Sequence, residues 1–392
     1  MHFIKSEVVQ EAPSAEAAAS ASADLNDFAW AFYAQGGRAG ANFVYSPYSI
    51  SVATAMLSAG AAGETLAQIQ GALHFTNTGD ALHAGQASLA RELSTRNREG
   101  TDERKAQTLR VSNDLWMAPS LNPEGAFLDP LARYYDSGVF LAPFETQPEV
   151  VRDAINDKVT EDTSGLIQEL LPARSITDDT VFVLTNALYF NGHWSRAFRR
   201  EATAPATFTG LDGTVGRVDM MHQMSDYPYV SAPGYQAVSL PYDGHELEMV
   251  FIVPDEGNFA NLVASLDAQF VSEVVQSLEP RYLDLGLPAF EVKSDVALEE
   301  ELIQAGMTNA FTQAAEFPAI GDVLIDKAFH QATLVVDEEG TEAAAATAFV
   351  GVPKSGPSSE PLALRLDRPF VFFVRDVTSN ASLFVGHYVA AE

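Results

Sequence analysis

The sequence predicts an α+β protein, with helices mostly early and strands mostly late. Two observations carry this. Residues 49–60 and 65–73 place apolar side chains three and four apart, the spacing of a helix with one buried face. The later half instead holds short apolar runs at 181–190, 247–254, 332–338, 369–376 and 382–389. Several of these are apolar on both faces, which predicts strands covered on both sides. No internal repeat interrupts the pattern.

Taken in chain order, residues 1 to about 23 are Ala/Ser/Glu-rich with few large apolar groups, so a disordered tail or a frayed helix start is expected. Order is expected from Leu25, where Phe28, Trp30, Ala31 and Phe32 supply an apolar face, and residues 24–392 form one domain. Residues 156–171 are amphipathic but interrupted at Gly165. From Glu338 the chain reads EEGTEAAAATAFVGVPKSGPSSEP between two strongly apolar runs. A connection this long without its own core is usually functional.

Composition excludes several functions. The 392 residues carry a net charge of −30, which opposes binding to nucleic acid or to an anionic membrane, and no apolar stretch is long enough to span a bilayer. The run from Arg91 to Lys105 mixes both signs and reads as a solvated face. With no cysteine there is no disulfide, thiol nucleophile or Cys-ligated zinc. The eight histidines are never closer than nine residues, so there is no HExxH helix, and there is no GxSxG elbow. Pro353 stands where a phosphate loop ending in Lys354-Ser355 needs glycine. No metal or cofactor is expected. Asn380-Ala381-Ser382 reads as a tight turn between the last two strands rather than a glycan acceptor. The first residues lack the apolar core of a secretory signal.

Five segments, in order, resemble one family. Asn42-Phe43-Val44-Tyr45-Ser46-Pro47-Tyr48-Ser49-Ile50 is the first. Thr185-Asn186-Ala187-Leu188-Tyr189-Phe190-Asn191-Gly192-His193-Trp194 is the second. His330-Gln331-Ala332 leads into the third, Glu338-Glu339-Gly340-Thr341-Glu342-Ala343-Ala344-Ala345-Ala346-Thr347. Asp367-Arg368-Pro369-Phe370 and Phe384-Val385-Gly386 complete the set. Together they resemble the serpins, inhibitors of serine proteases. The resemblance implies three β-sheets, eight or nine helices and an exposed reactive loop at about 338–362. It also implies a suicide mechanism: a protease cuts the loop, is held as an acyl-enzyme, and is trapped when the loop inserts into the largest sheet as a new strand.

The residues explain how such a loop could insert. A strand in a sheet buries every second side chain, and Thr341, Ala343, Ala345 and Thr347 share one face. All four are small, while Glu342 falls on the other face. Roughly ten to fifteen new main-chain hydrogen bonds at about 0.5–1.5 kcal/mol each supply a drive on the order of 5–20 kcal/mol before entropy. Ala343 to Ala346 also suit a helical linker, but the lead Glu338-Glu339-Gly340-Thr341-Glu342 and the flanking strands argue against it. In the family the residue before the cut lies 14 positions past the hinge glycine. From Gly340 that is Lys354, the lone basic residue between Thr341 and Leu364, which places the cut at Lys354–Ser355 and the target among trypsin-like proteases. The segment after the cut is longer than in many serpins, which leaves the bond open by one or two positions.

The resemblance also assigns Ser46, Ser49, Asn186 and His330 to a polar cluster beneath the strands that part, and Trp194 with Glu338 to the place where the loop first inserts. Lys158 and Leu166 depart from the family, which often has an aromatic and a lysine there. The expected partner is a trypsin-like serine protease, bound by a monomer, and the family's role points to an extracellular setting. The competing expectation is a non-inhibitory serpin that binds, chaperones or stores, for which bulky or charged residues on the inserting face would speak.

Overall fold

The computed structural model describes residues 1–10, 12, 14–35, 40–101, 105–325, 327–341 and 360–391. The chain runs β1 (His2–Ile4), α1 (Ala15–Gln35), β2 (Phe43–Tyr45), α2 (Pro47–Ser58), α3 (Gly63–Ala72), α4 (Gly79–Ser94), β3 (Gln107–Met117), α5 (Gly125–Tyr135), β4 (Val139–Leu141) and α6 (Pro148–Asp162). It continues through β5 (Phe182–His193), β6 (Ala204–Thr209), β7 (Val215–Ala232), β8 (Tyr235–Pro241), β9 (Leu247–Pro254), α7 (Phe259–Ser265), α8 (Ala268–Gln276), β10 (Glu279–Pro288), β11 (Phe290–Ala297) and α9 (Leu298–Gln304). The last strands are β12 (Lys327–Val336), β13 (Gly340–Thr341), β14 (Leu362–Arg365), β15 (Phe370–Asp376) and β16 (Ser382–Tyr388).

One sheet has seven strands in the order β1-β4-β3-β5-β13-β12-β11. The expected second and third sheets form a single nine-stranded hydrogen-bonded path, β14-β10-β7-β8-β9-β15-β16-β2, with β6 on β7. The 18-residue β7 joins them. Its first part pairs with β6 and β10, and its last residues, Tyr229 to Ala232, pair with β8.

The local reasons are visible in the residues. Ser46 caps α2, its Oγ accepting the Ser49 N–H, and Pro47 occupies the first turn where no N–H is needed. Every residue of α2 from Pro47 to Ser58 is buried, so this helix lies inside the core. β5 is buried at each residue from Phe182 to Phe190, as expected of a strand covered on both faces. One of its faces meets α6 through Val151, Ile155 and Val159, which share a cluster with Trp116, Val183 and Ala187.

Two sequence expectations are corrected, and the interruption expected at Gly165 is located. Residues 1–23 are not a disordered tail throughout. The alanine run is the best helix former, and α1 begins at Ala15 and buries Ala18, Ala21 and Ser22, while β1 pairs with β4. The amphipathic segment 156–171 is helical only as far as Asp162. Ser164 and Gly165 take positive φ, and the chain folds back so that Asn156 Nδ2 donates to Leu171 O and Asn156 Oδ1 accepts the Leu171 N–H. The charged run from Arg91 is not a solvated face throughout. Arg96 pairs with the fully buried Asp376, and Arg98 pairs with Asp243 and Glu246. At Asn380, φ is 63°, in keeping with the turn expected there.

Candidate functional site

The seven-stranded sheet contains a seam. β5 and β12 run parallel and pair directly only from Val183 to Ala187, against Lys327 to Gln331. Farther along, β13 lies between them, antiparallel to both. Thr341 sits opposite Val336 on one side and Gly192 on the other, and Gly340 opposite His193. The segment expected to start an inserting loop therefore already occupies the gap with its first two residues.

Those two residues fit for different reasons. A Cβ on Gly340 would lie 2.0 Å from the Gly192 carbonyl oxygen, so glycine is required by close approach. Thr341 is 2% exposed, and its Oγ1 is 2.6 Å from the Tyr242 hydroxyl. Tyr242 stacks on Trp194 at 4.6 Å and meets Phe190 edge-on at 4.9 Å. Burial pushes the Tyr242 phenol far up, so it is a neutral hydrogen-bonding group.

The turn before β13 is held by the segment after β5. Trp194 Nε1 donates to Asp337 O at 2.9 Å, and the Trp194 N–H to Glu339 O at 2.9 Å. The Phe198 N–H donates to Glu338 O at 2.8 Å, and Thr203 Oγ1 to Glu338 Oε1 at 2.6 Å. Trp194 therefore bonds the residues on either side of Glu338, while Glu338 itself is held by Phe198 and Thr203.

Beneath the paired part of the seam lies the polar cluster. Its four expected members come together, all buried. His330 and Asn186 sit directly opposite each other on β12 and β5. His330 Nε2 accepts the Ser46 N–H at 3.0 Å, so the proton resides on Nδ1, which donates to Asn186 Oδ1 at 2.6 Å. The same oxygen accepts from Ser49 Oγ at 2.7 Å. Asn186 Nδ2 turns to Asn113 Oδ1 on β3. The cluster ties the start of α2 to three neighbouring strands, β3, β5 and β12.

Sequence reasoning missed Tyr242, Thr203, Asp337 and Asn113. An asparagine within a strand-like run was the one available signal, at Asn113. Lys158, noted as a departure, reaches from α6 to Asp114 on β3 at 3.5 Å and to Asp162 at 2.7 Å, and Ser112 donates to Asp162. Glu342, Ala343, Ala345, Thr347 and the Lys354–Ser355 bond lie outside the described residues.

With this geometry in place, comparison with known proteins is direct. The family model described as Serpin (serine protease inhibitor) matches residues 23–391. An uncharacterized serpin-like protein of Thermococcus kodakarensis is 32% identical over 367 residues, 92% of this chain and 84% of that protein. The leukocyte elastase inhibitor of Bos taurus is 34% identical over 358 residues, 88% of this chain and 92% of that protein. The crystal structure of a thermophilic serpin, tengpin, in the native state matches with a TM-score of 0.86 at 25% identity, covering 99% of this chain and 98% of that one. A thyroxine-binding globulin complex with thyroxine matches with a TM-score of 0.81 at 25% identity, covering 94% and 98%. The chain belongs to the serpin family and has the serpin fold. Its relatives therefore include one named as an inhibitor and one named for binding thyroxine.

Proposed function

We propose that this serpin is a suicide inhibitor of trypsin-like serine proteases, acting as a monomer and cut at Lys354–Ser355. The protease serine attacks the Lys354 carbonyl, the Ser355 amine leaves with a proton, and Lys354 remains esterified to the enzyme. Insertion of the freed loop between β5 and β12 then competes with hydrolysis of that ester.

The observation that carries this reading is the position of β13, already between the two strands and antiparallel to both. Residue-by-residue continuation of its two registers brings Thr347 between His330 and Asn186 and on their face. A hydroxyl arriving there can accept from the imidazole and donate to the amide oxygen, replacing the bond that insertion breaks. Ala343 and Ala345 precede it on the same face, so no bulky or charged side chain obstructs the path. A lone lysine in the loop supports a target whose specificity pocket is acidic.

The test is to mix the protein with trypsin and run a denaturing gel. A complex that survives SDS, and is lost in Lys354→Ala, supports the proposal. Clean loop cleavage with trypsin still active sinks it and favours the non-inhibitory alternative, a serpin that binds, chaperones or stores. Complexes unchanged in Lys354→Ala would move the bond.

A further inference from the structure

Asp337 lies between the end of β12 and the start of β13. Its Oδ1 accepts two main-chain N–H groups, from Glu339 at 2.8 Å and from Gly340 at 3.1 Å. Its own N–H donates to Gly340 O at 3.0 Å, and its carbonyl receives the Trp194 indole. One side chain thus closes the turn from inside, and the segment after β5 grips it from outside. Glu339 and Gly340 are both buried, so their N–H groups need the acceptor that Asp337 supplies. Burial raises the Asp337 carboxyl above its ordinary value, the two N–H bonds opposing that rise.

We propose that the Asp337 carboxylate is the positioning group that sets the register of the inserting strand, and so decides how often a cut loop traps its protease rather than releasing it. The proposal rests on the inhibitory reading above. The physical reason is the two-residue period of a strand. With the turn closed at Asp337, Thr341 points at Tyr242, and after a cut the small residues Ala343, Ala345 and Thr347 would follow on the same face of the inserting strand. A slip of one residue would reverse every side chain and bring Glu342 toward the ring cluster of Tyr242, Trp194 and Phe190. Two acceptor bonds from one carboxylate oxygen specify the turn that prevents this. Asp337 touches neither the scissile bond nor the protease in this scheme, so its effect falls on insertion and not on recognition.

The experiment compares the wild type with Asp337→Ala and Asp337→Asn against trypsin, measuring the association rate constant and the stoichiometry of inhibition. Asp337→Ala is expected to consume several-fold more inhibitor per trapped enzyme while associating within about twofold of the wild-type rate. Asp337→Asn, whose amide oxygen can accept the same two N–H groups, is expected to restore most of the trapping. Hydrogen exchange on the uncut proteins gives a second readout, independent of trypsin. The Glu339 and Gly340 amides should be protected in the wild type and in Asp337→Asn, and exchange at least tenfold faster in Asp337→Ala. Wild-type stoichiometry in Asp337→Ala, or unprotected amides in the wild type, overturns the role given to Asp337 and leaves the inhibitory reading standing. Absence of any SDS-stable complex with the wild type overturns the inhibitory reading and this role in trapping with it, even if the amide protection is as expected.

Discussion

If the protein inhibits as proposed, replacing Thr341 by arginine should turn it into a substrate, and the structure sets the scale of the effect. The side chain is 2% exposed and faces the hydroxyl of a fully buried tyrosine, flanked by Trp194 and Phe190. A guanidinium buried there loses its water and gains no carboxylate from Tyr242, Trp194 or Phe190, a penalty of several kcal/mol. Because Thr341 is already buried in the uncut protein, the arginine would drive β13 out of the gap, and insertion after the cut would have to bury it again. If about 3 kcal/mol of the penalty falls on that step, insertion slows by roughly 150-fold, since each 1.36 kcal/mol is a factor of ten. A trap that competes with ester hydrolysis cannot absorb such a delay. Thr341→Val is the control. It keeps the shape but leaves the Tyr242 hydroxyl with the Met249 sulfur at 3.7 Å, a loss of about 1–3 kcal/mol. The assay is the stoichiometry of inhibition with trypsin, expected to stay near wild type for Thr341→Val, whose loss is the same before and after insertion, and to rise for Thr341→Arg. Trapping by Thr341→Arg at the wild-type stoichiometry would refute the reasoning.

Three further outcomes follow from named contacts. In the uncut protein, His330→Ala removes the acceptor of the buried Ser46 N–H and Asn186→Ala removes the acceptor of both His330 and Ser49. Each should cost about 1–3 kcal/mol in denaturant unfolding, and the double mutant should cost less than the sum; strict additivity would mean the cluster is not a unit. Burial holds the His83 imidazole down at about 4, against an ordinary 6.5, so the unfolded chain binds its proton first. Its contribution is complete above pH 6.5 and is lost as pH falls toward 4, so between those limits the wild type should lose about 3 kcal/mol more than His83→Gln; parallel stability curves would remove His83 from the account. Finally, a single cut in the loop should raise the melting temperature, because the sheet gains a central strand; an unchanged melting temperature argues against insertion.

The parts of this structure that could be read in the sequence are those with a local cause. Strands buried on both faces announce themselves as unbroken apolar runs, and β5, β9, β15 and β16 lie close to where such runs predicted them. The helix expected over 49–60 lies close to α2, although its start at Pro47, capped by Ser46, comes two residues earlier than expected. The hinge stood out because it lacks large apolar residues between segments that are rich in them. What was not legible depends on distant partners. Tyr242 lies 99 residues from the threonine it bonds, and nothing around it in sequence sets it apart from any core tyrosine. The β1 strand exists because β4 offers an edge, and its own composition would not have suggested it. Arg96 looked solvated because its partner, Asp376, is 280 residues away.

If the cut loop inserts as proposed, the seam between β5 and β12 explains how this sheet would open without the domain unfolding. The direct pairing is five residues long and parallel, the less stable arrangement per residue. Toward one end of it a row of side chains, Asn113, Asn186 and His330, crosses three strands, with Asn186 hydrogen-bonded to the other two. Apolar packing across the seam would cost its full transfer energy on separation. Hydrogen-bonded groups lose far less if replacements arrive as the old partners leave. A threonine delivered between His330 and Asn186 is such a replacement, and the alanines before it demand no cavity. Filling this row with leucine would oppose separation of the strands and also strip the acceptors from the buried Ser46 N–H and Ser49 hydroxyl, so under the proposed mechanism trapping is lost with no gain in stability of the uncut protein.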